Sequence, residues 1–247
     1  MRLTERVYMV GSGDNGFCLS DHADCNIYLI DGGDELALID AGVGEGTNCI
    51  LDNIRLYGFN PDKITTLFLT HIHADHAGGS AGLRYLISGM KVAVAGGAAL
   101  ALRQGDEKAI SLDLAKKAGF YAQNYFFQPC PVDIELQDGD QITVGDLTVQ
   151  AISAPGHSAY DMAYVVQVDQ KTSLFSGDII FHDGKILLQS TWDCDLQKLI
   201  TSLRRLGEVR VDVLLPGHNL VTLKDGTLQI WKAIEILDHC LIPKSLL

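Results

Sequence analysis

Four residues able to bind a metal fall within six positions of this chain. His71, His73, Asp75 and His76 are spaced HxHxDH directly after the apolar run Leu67-Phe68-Leu69. Buried imidazoles and carboxylates each need a partner. A divalent cation satisfies all four at once. Three further candidates stand where apolar runs stop: His157 after Ile152, Asp178 after Phe175 and His218 after Leu215. The turns that present them are Pro155-Gly156-His157, Ser176-Gly177-Asp178 and Pro216-Gly217-His218. Alone, His157 or His218 reads first as a hydrogen-bonded structural residue. Beside HxHxDH, the set reads as a metal site. Five imidazoles and two carboxylates, with no thiolate, suit Zn, Mn, Fe or Ni. Seven ligands are too many for one tetrahedral zinc. They suit two divalent ions sharing a bridge, which a carboxylate with two oxygens can supply.

For these residues to meet, strand ends on one edge of a sheet must converge. Alternating and continuous apolar runs predict strands at Val7–Val10, Asn26–Ile30, Leu36–Ile39, Ile64–Leu69 and Lys91–Ala95. Further strands are predicted at Gln141–Val144, Leu147–Ile152, Ala163–Val168, Thr172–Phe175 and Val211–Leu215. Asp31-Gly32-Gly33-Asp34 has hairpin chemistry, and so does Asp169-Gln170-Lys171. Helical spacing marks Thr47–Tyr57, Ser80–Ser88, Leu196–Leu206 and Thr227–Leu237. Leu100–Phe127 reads as a pair of surface helices whose aromatic residues pack on the core. A wall or lid over the metal site, or a contact between two copies of the chain, is the alternative. Both halves run strands first and helix later, so a single domain of two pseudo-repeated halves, divided near Gln128, is expected.

Composition narrows the function. The chain has 247 residues, 47% of them hydrophobic, enough for one sizeable core. A net charge of −12 argues against nucleic acid or an anionic membrane as the main partner and leaves a small-molecule substrate. No apolar run reaches spanning length and the start of the chain leads to no secretory apolar region. A cytoplasmic protein is expected. The six scattered cysteines, with no CxxC pair, read as reduced thiols. Cys194 in Trp192-Asp193-Cys194-Asp195 reads as structural.

Thr70-His71-Ile72-His73-Ala74-Asp75-His76 resembles the THxHxDH signature of the metallo-β-lactamase superfamily. Leu38-Ile39-Asp40-Ala41-Gly42, Pro155-Gly156-His157-Ser158, Ser176-Gly177-Asp178-Ile179-Ile180-Phe181 and Pro216-Gly217-His218 match its other motifs in order. The resemblance implies an α/β (α+β) fold: an αβ/βα four-layer sandwich of two mixed β-sheets with helices outside. It implies that His71, His73 and His157 hold one divalent metal and Asp75, His76 and His218 a second. Asp178 would bridge them, with Asp40 in support. Zinc is the first choice of metal, and Fe or Mn the alternatives. Within the superfamily the chain is most similar to the glyoxalase II-like branch, since Asp178 and Phe181 follow that pattern. Too little chain follows His218 for that branch's C-terminal helical domain, and Tyr160 stands where glycine is usual. The implied activity is hydrolysis of an ester or thioester by a metal-bridged hydroxide that Asp75 orients. Alternatives are a mononuclear-iron persulfide dioxygenase (ligands His71, His157 and Asp178), a lactone or phosphodiester hydrolase, and a metal-binding module without turnover.

Overall fold

The computed structural model describes residues 1–168 and 170–246. Three short apolar runs, β1 (Val7–Gly11), β2 (Ile27–Asp31) and β3 (Leu36–Ile39), fold as an antiparallel meander. Val7 pairs with Ile30, and Tyr28 with Ile39. The Asp31–Glu35 turn closes through Gly32 N–H to Glu35 O and Gly33 N–H to the Asp31 carboxylate, as its sequence suggests. Helix α1 (Thr47–Leu56) crosses to the parallel strand β4 (Ile64–Phe68). The short helices α2 (Ala74–Ala77) and α3 (Ser80–Leu86) lead to β5 (Lys91–Ala95). α4 (Gly96–Gln104) and α5 (Leu112–Ala118) lead to β6 (Ile134–Leu136). Among the described residues this gives a six-stranded sheet in the order β1-β2-β3-β4-β5-β6.

A second meander follows: β7 (Gln141–Val144), β8 (Leu147–Ser153), β9 (Met162–Val168) and β10 (Lys171–Gly177). Of the turn expected between β9 and β10, Asp169 lies outside the described residues. Helix α6 (Leu196–Leu206) then carries the chain to β11 (Val213–Pro216), parallel to β10, and α7 (Gly226–Asp238) packs outside. The second sheet runs β11-β10-β9-β8-β7. α6 shows why such a segment folds. Asp195 caps it by accepting from Gln197 N and Lys198 N, and Leu199, Leu203 and Leu206 bury one stripe.

The sheets face each other across the larger core. Tyr28 meets Phe175 with ring centroids 5.3 Å apart, and Phe68 meets Tyr164 at 5.2 Å. Both tyrosines are buried, so each hydroxyl needs a partner. Tyr28 donates to Pro216 O and Tyr164 to Leu69 O, each at 2.6 Å. A fully buried Phe or Leu here contributes about 2 kcal/mol relative to exposure. A second apolar cluster, including Leu174, Ile180, Leu199, Leu203 and Ile230, joins the outer face of the second sheet to α6 and α7. The architecture is the expected αβ/βα sandwich of two mixed sheets.

Two details differ from the sequence reading. The chain leaves the first sheet only after Leu136, because β6 pairs with β5 (Ala93 opposite Ile134), whereas the sequence division falls near Gln128. The Leu100–Phe127 aromatics do not all pack on the core. Phe127 is buried, but Phe120 is 70% exposed and Phe126 64% exposed.

Candidate metal centre

All seven predicted ligands come to one edge of the sandwich. β4 ends at Phe68 and delivers His71 and His73, and one turn of α2 delivers Asp75 and His76. The turns after β8, β10 and β11 deliver His157, Asp178 and His218. Gly217 is needed where it stands. A Cβ there would collide with the Asp178 carboxylate and the His76 ring. Gly156, at φ 149°, lies against the backbone of Leu199, and a side chain would push α6 away from the His157 turn.

The seven candidate residues sort into overlapping groups whose donor atoms lie within 4.8 Å of one another: His71, His73 and His157; His71, His76 and Asp178; and Asp75, His76 and His218. His73 Nδ1 stands 3.0 Å from His157 Nε2, and His218 Nε2 stands 3.1 Å from Asp75 and 3.4 Å from Asp178. Asp178 reaches both sides, with Oδ1 3.5 Å from His76 Nε2 and Oδ2 3.7 Å from His157 Nε2. Two buried atoms here make no hydrogen bond: His71 Nε2, and Asp178 Oδ1, which has only the long 3.5 Å ion pair with His76. Orphaned buried polar atoms are rare. A divalent cation supplies what these two lack, so the residues fit a metal centre.

The other ring nitrogens are held from behind. Asp40 sits at φ 63°, a strained backbone for an aspartate, and accepts from Thr70 N–H, the Thr70 hydroxyl and His76 Nδ1 at 2.8, 2.8 and 2.9 Å. Thr70 Oγ1 also reaches His71 Nδ1 at 3.1 Å, and His157 Nδ1 reaches Leu187 O at 3.3 Å. Such contacts fix which nitrogen faces a metal.

Charge divides the cluster. Burial, then the neighbouring imidazoles, pushes His71 well below the usual histidine range, and burial takes His157 down to about 4. Burial works against His218 too, but Asp178 and Asp75 outweigh it and raise it to about 9. His76 is likewise raised against its burial, by Cys25, Asp178, Asp75 and Asp40. Burial would raise Asp75 and Asp178; His76 and His218 outweigh it and hold both well below the usual carboxylate range.

Two supporting residues escaped the sequence reading. Asp193 Oδ2 takes His73 Nε2 at 2.8 Å, while its Oδ1 accepts from the Ser111 hydroxyl at 2.9 Å. Burial alone would lower His73; the Asp193 bond and charge reverse that and leave it raised. Asp161 clamps the His157 turn, accepting from Gly156 N–H (2.9 Å), Ser158 N–H (2.7 Å) and the Ser158 hydroxyl (2.6 Å).

Of the cluster, His73, Asp75, Asp178 and His218 line a cavity of about 550 Å³, within the range of small-molecule sites, with the other three behind them. One wall is Ile110, Leu112, Leu114, Ala115, Ala118 and Phe120, on and around α5. Tyr121 also faces in, its hydroxyl pushed well above the usual phenol range by burial and then by Asp75. Within the 100–127 stretch, Ile110 to Tyr121 therefore form a cavity wall, while Leu102 and Phe127 pack in the core.

The metallo-beta-lactamase superfamily profile matches residues 21–218. An acyl-coenzyme A thioesterase of Gallus gallus is 29% identical over 210 residues, covering 78% of this chain and 72% of that protein. An atrochrysone carboxyl ACP thioesterase of Aspergillus fumigatus is 26% identical over 196 residues and 79% of this chain; the match spans about half of that relative, 51%. Among solved structures, a metallo-beta-lactamase of Cronobacter sakazakii (a mutant of its HARLDQ motif) superposes with a TM-score of 0.70 at 26% identity. That match covers 88% of this chain and 79% of the other. No helix among the described residues is long and apolar enough to cross a membrane.

Proposed function

This chain belongs to the metallo-β-lactamase superfamily, and from that premise we propose that it is a thioester hydrolase working with two divalent cations, zinc first. The observation that carries this reading is the pair of orphaned atoms, His71 Nε2 and Asp178 Oδ1, beneath a cavity with an apolar wall. The thioesterase relatives support the substrate class. His71, His73 and His157 would hold one cation, Asp75, His76 and His218 the other, with Asp178 between. So bound, the cations supply a water of near-neutral pKa and Lewis acidity toward a carbonyl oxygen.

The chain's own residues do the rest. Asp75 lines the cavity and stays anionic, so it accepts a hydrogen from the attacking water and fixes its direction. The Tyr121 hydroxyl keeps its proton and can donate toward the substrate. The α5 wall holds the acyl group over the floor by apolar contact. Thr70, Asp40 and Asp193 keep the imidazoles in one tautomer and orientation. A thiolate leaves without strong acid assistance, which suits a floor that holds acceptors and cations.

An iron dioxygenase would use His71, His157 and Asp178 alone. The ion-paired Asp75, His76 and His218 beside them support a second cation instead. The test is a panel of thioester, lactone and nitrophenyl phosphodiester substrates with zinc-loaded protein. Thioester turnover is expected. Turnover of the phosphodiester alone, or oxygen uptake with a persulfide by protein holding one iron, would contradict the reading.

A further inference from the structure

The cavity joins an apolar wall to a mouth without basic anchors. Among the described residues that line it there is no lysine or arginine. Its outer lining includes Asp14, Asn15 and His22, all exposed, above the buried Asp24. His22 is engaged by Asp21, 3.1 Å away. The two lysines of α5 are also occupied. Lys116 pairs with Glu107 at 2.6 Å and Lys117 with Asp113 at 3.3 Å. The whole chain carries −12.

The described lining offers Asp14 and no guanidinium or ammonium to the phosphates or carboxylates of a carrier. Anion recognition ordinarily needs such groups, and like charge within a Debye length of about 8 Å is repulsive. The wall formed by Ile110, Leu112, Leu114 and Phe120 offers apolar contact to an acyl chain.

Resting on the thioesterase reading, we infer that the substrate is a small thioester with an apolar acyl group and an uncharged or cationic leaving group. Polyanionic carriers such as a nucleotide-linked thiol are excluded. The site thus differs in carrier from what its relatives' names describe.

The test compares three butyryl thioesters on the zinc-loaded protein: of thiocholine (cation), of N-acetylcysteamine (neutral) and of coenzyme A (polyanion). At low salt the cationic and neutral esters should exceed the coenzyme A ester in kcat/KM by about ten-fold or more. The difference should sit in KM and shrink as potassium chloride is added. Asp14→Lys should narrow it by lowering KM for the coenzyme A ester. Calorimetric binding to the metal-free protein, which leaves the esters intact, should give the same order. Preference for the coenzyme A ester, or an order insensitive to salt and to Asp14→Lys, would overturn the inference while leaving the thioesterase reading intact. No turnover of any of the three would overturn both.

Discussion

The two groups of candidate ligands at the cavity are built on opposite electrostatic terms. On one side stand His71, His73 and His157. Two of them are driven neutral by burial, and their rear nitrogens are held by Thr70, Asp193 and Leu187 O. On the other stand Asp75, His76 and His218, which without metal hold one another by charge. His218 is raised to about 9, and Asp75 is kept anionic. A cation entering the first side meets imidazoles of which two are already free of excess protons. One entering the second would have to displace protons from His76 and His218. The first side would receive a cation much as it stands, whereas on the second a cation would replace an internal salt bridge.

Removing the residue common to both sides gives the largest effect. Asp178→Ala should abolish turnover and lower the metal content of both sides, read by assay and elemental analysis. Next, Asp193→Ala frees His73 Nε2 and should weaken zinc on the first side by about 10–100-fold, seen in competition with a chelating dye. The second side should be little changed. Equal loss on both sides would erase the distinction.

pH sharpens the comparison in the metal-free protein. His157 is at about 4 folded against 6.5 unfolded, so the unfolded chain binds more protons between those values and stability rises with pH there. His218 is at about 9 against 6.5, so the folded chain binds more protons and stability falls from pH 6.5 to about 9. Between pH 4 and 6.5 Asp161, raised by burial to about 7, opposes the His157 slope, so the alkaline side carries the signal: thermal melts of metal-free protein should fall from about pH 7 to 9, and zinc loading should flatten that slope. A melting temperature that climbs steadily to pH 9 without metal would contradict the assignment of charge to the second side. The smallest effect is expected far from the chemistry. Phe120→Ala, at an exposed position on the cavity wall, should raise KM for an acyl substrate with a change in melting temperature too small to matter.

The legible part of this site was the part that announces itself by residue type at a strand end. HxHxDH, His157, Asp178 and His218 each follow an apolar run, and the topology that unites them follows from parallel β3 beside β4 and β10 beside β11. Asp193 carried no such signal. It stands in a turn two residues before Asp195, and an aspartate there is expected for turn and cap chemistry, which Asp195 performs. Its partner Ser111 is 82 positions away. The cavity wall was obscure for a related reason. α5 is seven residues long, with left-handed residues at both ends (Ser111 at φ 54°, Gly119 at φ 83°), too short for its periodicity to show which face looks inward. β6 has three residues, too few to alternate, and is a strand because β5 has a free edge.

The central claim, that one floor holds two unlike cation sites, is tested most directly by the zinc-to-protein ratio after loading and desalting at pH 7.5, measured for the native chain beside His157→Ala and His218→Ala. The account predicts two ions in the native protein and one in each variant. A single ion in the native protein, unchanged by His218→Ala, would contradict it.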